Sequence, residues 1–317
     1  MKSRGHSLPK MVSGLILFLC ITSNALHAQK LSVLESDGVR VYFDAPHTLA
    51  AQEVAQLYPT VKAELETMLT WKVDFRPTVL LVPDRNTFVS MAGSPLIVAY
   101  AIPQKMLIVI DYSRMNTEPF TLGTTLKHEM CHLLIHRFIQ TTRLPRWLDE
   151  GVCQWASGGL AELVTGSRKS ALAWAALSGG YIPLNALSLN FPQDEQSLVL
   201  AYEESRSVVE YIVSRFGKNG ILNILDAMKN GQDVNAAVSM SLAISIGDLE
   251  RQWKGSQQRW TAVISALVAN LYTIIFVFGA LLTLAVYMRL VIRKRRLKDE
   301  EEDDSSAPSD EGTGHIL

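Results

Sequence analysis

Two stretches decide how this chain is read: Thr125-Leu126-Lys127-His128-Glu129-Met130-Cys131-His132-Leu133-Leu134, and Leu144-Pro145-Arg146-Trp147-Leu148-Asp149-Glu150-Gly151-Val152. The first contains H-E-x-x-H within a helical hydrophobic pattern. Histidines four residues apart project from one face of a helix, near enough to share one zinc ion, and Glu129 lies beside them.

A catalytic zinc needs a third protein ligand and an open position for water. The metzincin pattern would put that ligand at a histidine six residues past His132, after a glycine. Phe138 and Ile135 stand there instead, which excludes that branch. His136 is near in sequence, but three ligands climbing one straight helix diverge from a common point, so it reads as a supporting or surface histidine. Glu150 follows His132 by eighteen residues. Pro145 suits the first turn of a second helix, from which Glu150 can complete a site of two histidines and one glutamate.

H-E-x-x-H followed by P-x-W-x-x-E-G resembles the gluzincin peptidases, and in particular the peptidase-MA-like domains of exported bacterial proteins. Gly179-Gly180-Tyr181-Ile182-Pro183-Leu184, Ala201-Tyr202-x-x-Ser205 and Arg215-Phe216-Gly217 extend the resemblance over roughly residues 30 to 260. It implies a thermolysin-like zincin fold, with a small sheet above the active-site helix, a helical lobe below and the cleft between. It also implies an edge strand that pairs with an extended substrate backbone, for which Met106 to Ile110 is the expected segment.

His128, His132 and Glu150 are thus expected to hold one Zn2+, with Glu129 as the general base in hydrolysis of a peptide or protein substrate. A donor for the developing oxyanion is expected from the helical lobe; Tyr202 and Tyr181 are the two candidates, Tyr202 being preferred. Gln154 departs from the thermolysin branch, which has an acidic residue there to orient a histidine. Because Glu129 is present, catalysis is favoured over the alternative, a silent zincin-like binding or scaffold module of the cell envelope.

Around the motif the fold class reads as α+β. Leu31 to Asp44 alternates about Asp37-Gly38 as a hairpin, Thr48 to Leu69 has the spacing of an amphipathic helix, and Thr78 to Val82 and Met106 to Ile110 are apolar strands. Residues 29–118 are therefore mainly sheet. Residues 119–260 are helical, with helices near 120–139, 146–157, 160–177, 198–216, 219–229 and 246–260.

The ends assign the compartment. Lys2, Arg4 and Lys10, the apolar run Met11 to Ile21 and the small residues up to Ala25 or Ala28 read as a signal peptide over residues 1–28. An uncleaved anchor is the other reading of that segment. Residues 262–288 are apolar enough for one transmembrane helix, and Arg289, Arg293, Lys294, Arg295, Arg296 and Lys298 follow it. By the positive-inside rule the C-terminus is cytoplasmic, and the catalytic domain is periplasmic or extracellular.

Residues 289–317, basic and then acidic, read as a disordered tail. A formal net charge of −1 gives no reason to expect a nucleic-acid partner. The H-E-x-x-H helix carries Lys127 and Arg137 and has no run of spanning length, so it is not an intramembrane site. Cys131 and Cys153 are either a disulfide clamping the two metal helices or two buried thiols.

Overall fold

The computed structural model describes residues 31–117, 119–140, 144–159 and 170–305; the signal-peptide segment lies outside them. Strands β1 (Ser32–Ser36) and β2 (Val39–Phe43) form the expected hairpin. At its turn Gly38 has φ +84°, a left-handed conformation that glycine adopts without a steric penalty. Helix α1 (Thr48–Leu69) follows, then β3 (Thr78–Val82), α2 (Arg85–Ala92), β4 (Ala99–Ile102) and β5 (Leu107–Asp111). The sheet order is β1-β2-β3-β5-β4, with β2, β3 and β5 parallel and the outer strands β1 and β4 antiparallel to their neighbours.

The placement of β5 corrects one expectation. Met106 to Ile110 is not an edge strand: β5 lies between β3 and β4, and β4 forms the edge. The continuous apolar run of β5 is what a strand covered on both faces requires. Ile108 and Ile110 pack into the main core, and Val109 faces Val82 and Phe88 on the α2 side.

Ten α-helices are present among the described residues. The remaining eight are α3 (Leu122–Phe138), α4 (Arg146–Ser157), α5 (Ala171–Ser178), α6 (Glu195–Phe216), α7 (Lys218–Lys229), α8 (Val234–Leu242), α9 (Ile246–Ala269) and α10 (Leu271–Ser305). The expected helix over 160–177 is seen only as α5, because residues 160–169 lie outside the described residues. Thr121 caps α3 by accepting the Thr124 N–H. From Leu126 to Ile135 only Lys127 escapes burial, so α3 runs through the core.

The apolar stretch expected over 262–288 is divided at Asn270, between the end of α9 and the start of α10. Within α10, Leu271–Lys294 is long and apolar enough to cross a membrane. Beyond residue 289, α10 runs on to Ser305. Arg, Lys, Leu and Glu dominate that stretch; they have high helix propensity and extend a helix that the apolar segment has already nucleated.

One carboxyl of the helical lobe is buried as an acid. Glu204 of α6 is fully buried and accepts the Ile182 N–H at 3.1 Å through Oε1. Burial raises its carboxyl to about 8. The folded state therefore keeps a proton that the unfolded chain releases in the ordinary carboxylate range, so stability falls as pH rises from about 4.5 towards 8. Glu204→Gln is expected to flatten that slope and to stabilise the fold at pH 8 by about 3 kcal/mol. Its effect at pH 4.5 should be small, as denaturant unfolding at the two pH values would measure.

Candidate metal centre

The site is made where α3 and α4 cross. His128 and His132, one turn apart on α3, bring their Nε2 atoms within 3.1 Å of each other. Pro145 begins α4, its carbonyl accepting the N–H groups of Leu148 and Asp149 at 3.0 Å. Glu150 then points back at α3, with Oε2 at 3.7 Å from His128 Nε2 and 3.6 Å from His132 Nε2. All three side chains are buried, and Oε2 has no hydrogen-bond donor among the described residues.

These separations can be tested against a metal. Ligand atoms about 2.0–2.2 Å from a tetrahedral centre lie about 3.4 Å from one another. The observed 3.1, 3.6 and 3.7 Å bracket that value, so two imidazoles and a carboxylate fit one zinc ion. Burial, reinforced by neighbouring His132, lowers the His128 imidazole to about 3, leaving it neutral with an Nε2 lone pair to offer.

The neighbours of His132 were only partly anticipated from the sequence. Its Nδ1 lies 2.8 Å from Asp149 Oδ1, while the other oxygen of the same carboxylate lies 2.8 Å from His136 Nε2. Asp149 therefore bridges two imidazoles and orients the first, so His136 has a supporting position. Burial opposes the charge on Asp149, but the two histidines outweigh it and hold the carboxyl below its usual range. Burial likewise opposes protonation of His132, and Cys153, Asp149 and Glu150 outweigh it, raising its pKa. No periodicity marks Asp149, since residues adjacent on a helix point about 100° apart; only the crossing angle of α3 and α4 brings it to His132.

Gln154 binds no imidazole through its amide nitrogen; it donates to the Tyr202 carbonyl at 3.1 Å, tying α4 to α6. Cys131 and Cys153 are buried free thiols, with Cys153 Sγ 3.5 Å from His132 Nδ1. Tyr202 and Tyr181 separate clearly. The Tyr202 hydroxyl points at Glu150, 3.5 Å from Oε1, and its ring packs edge-on to Phe191. Tyr181 packs against Trp253, away from the cleft.

A cavity of about 310 Å3 opens onto these groups, with Glu129, His132, Glu150 and Tyr202 on one side and Tyr100 and Ala101 of β4 on the other. The edge strand that borders the cleft is thus β4.

A small mixed sheet over a helix bearing H-E-x-x-H, with a glutamate delivered from a second helix, has the form of a gluzincin-like peptidase domain. The chain belongs to the Peptidase MA superfamily, whose family model matches residues 97–259.

Similar solved structures include an aminopeptidase A of Legionella pneumophila, determined with aspartic acid. It is 12% identical with a TM-score of 0.41, over 71% of this chain and 27% of that one. A second is an M1 zinc metallopeptidase of Deinococcus radiodurans, determined as a mutant with a Tyr-Ser-Ala substrate. It is 14% identical with a TM-score of 0.37, over 73% of this chain and 51% of that one. The chain therefore spans between a quarter and about half of the length of these structures. No curated protein matches.

Proposed function

We propose that this protein is a membrane-anchored, extracytoplasmic zinc peptidase of zincin fold, in which His128, His132 and Glu150 hold one Zn2+ and Glu129 is the general base. The observation that carries the reading is the convergence of three buried donor atoms at separations suited to a tetrahedral ion, beside Glu129 in one cleft. Zinc bound there would polarise a peptide carbonyl and lower the pKa of water towards neutrality.

The chain's own groups then have defined tasks. Glu129 takes the proton from the attacking water and delivers it to the leaving amine, so one carboxylate serves both transfers. Tyr202, 3.5 Å from Glu150 and facing the cleft, donates its hydroxyl to the oxygen that gains charge. Asp149 fixes the His132 ring with Nε2 facing Glu150, as a supporting carboxylate does for a ligating imidazole. β4 supplies main-chain groups to an extended peptide.

The anchor is Leu271–Lys294, with Arg289, Arg293 and Lys294 at its cytoplasmic end. Metal content and hydrolysis of a mixed peptide library by the full-length protein in lipid nanodiscs test the proposal. One zinc per chain and hydrolysis abolished by chelation are expected, with both lost together in Glu150→Ala. A wild-type protein that binds no zinc would overturn it.

A further inference from the structure

The cleft continues beyond the metal ligands. After β4 the chain turns through Pro103–Lys105, and past this turn a second hollow of about 510 Å3 opens. It shares Pro103, Gln104, His136 and Leu144 with the first cavity, so the two are continuous. Met106, Ile139 and Leu144 give it one apolar wall, and Gln104, His136, Arg137 and Gln140 line the rest.

The free edge of β4 limits how a peptide can lie there. Ala99 pairs with Ile110 and Ala101 with Ile108, while the Asp111 N–H bonds the Val98 carbonyl at 2.8 Å. In an antiparallel ladder this phase sends the main-chain groups of Tyr100 and Ile102 to β5 and turns those of Ala99 and Ala101 outward.

Most of this edge is already closed. The Ile97 carbonyl is taken by Arg85 Nη1 at 2.9 Å, and Ala99 is fully buried. Pro103 has no N–H, and its carbonyl accepts the Met106 N–H at 3.1 Å. Ala101, part-exposed and lining the cleft, is left as the outward-facing pairing residue.

A peptide that meets one such residue pairs best antiparallel, because a single peptide residue then exchanges both its N–H and its C=O with Ala101, and the parallel arrangement is weaker. Running antiparallel to β4, the peptide directs its N-terminal side past Pro103 and into the hollow.

We infer that the hollow is a subsite for an apolar side chain two or three residues N-terminal to the scissile bond, so that the enzyme cleaves within chains instead of releasing the first residue. This rests on the peptidase reading above and adds the class of substrate to it.

The test uses the zinc-loaded, full-length protein and two sets of probes. One set comprises internally quenched decapeptides, acetylated and amidated, with leucine or glycine scanned through each position; the other comprises amino acid 4-methylcoumarin-7-amides with a free amine. Blocked decapeptides should be cut, with kcat/KM about tenfold higher for leucine than for glycine at that N-terminal-side position. Leu144→Trp, which fills the hollow, should abolish the tenfold preference; zinc content and thermal midpoint check that the variant is folded.

Release of single residues from the free-amine probes, with blocked peptides uncut, would leave the peptidase reading standing and overturn the inference. So would a preference confined to the C-terminal side of the cut, or one unchanged in Leu144→Trp. Hydrolysis of neither set by the zinc-loaded protein would overturn the peptidase reading and the inference with it.

Discussion

Glu129→Gln should retain one zinc per chain and lose hydrolysis by on the order of 10^3-fold. Glutamine has nearly the same shape as glutamate, so the helix that aims His128 and His132 is undisturbed, but its amide cannot take a proton from water at neutral pH. Glu129 is fully buried and also lines the cleft, where no bulk water substitutes for it as base. The loss should fall on kcat, with KM nearly unchanged, because the group acts on the water and leaving amine and not on substrate affinity. Metal analysis with steady-state kinetics on one cleaved peptide separates the effects. Activity within tenfold of the wild type would remove Glu129 from the mechanism.

The second large effect is structural. Gly151, directly after Glu150, lies where α4 and α6 meet most closely: a Cβ placed there would be 2.3 Å from the Ser205 carbonyl oxygen and 2.8 Å from Val209 Cγ2. The nearer obstacle is helix backbone, which cannot turn aside as a side chain can. Gly151→Ala must therefore push the helices apart, at about 3 kcal/mol or more. The thermal midpoint should drop by roughly 6–12 °C. Because Glu150 moves with α4, zinc affinity should fall too. Gly123 of α3 is the control: a Cβ there meets only Leu57 methyl carbons, at 3.7 and 3.9 Å, and Gly123→Ala should leave stability unchanged or improve it. Equal midpoints for the two variants would refute the close approach of α4 and α6.

The two helices of the site were legible in the sequence because their information is local. Histidines at i and i+4 share a face by helix geometry alone, and Pro145 marks where the second helix starts. Long amphipathic or apolar segments were equally plain: α1 occupies the expected residues 48–69, and β3 the expected 78–82.

What escaped depends on contacts between distant residues. β4 is only four residues, Ala-Tyr-Ala-Ile, too short and too rich in alanine to announce itself, and it is a strand because β5 pairs with it. With β4 silent in the sequence, β5 reads as the edge. α2 and α8, of 8 and 9 residues, lack enough turns to set up a clear periodicity. Asp149 acquires its two histidine partners only through the crossing of α3 and α4.

The edge of β4 has one further consequence, for self-association. An uncovered strand is a template on which another chain can grow a ladder. Here Arg85 occupies Ile97 at one end and Pro103 occupies itself with Met106 at the other, so a strand arriving from a second molecule finds a single pairing residue and cannot extend its register. An opening of one residue is too narrow to seed a sheet between molecules.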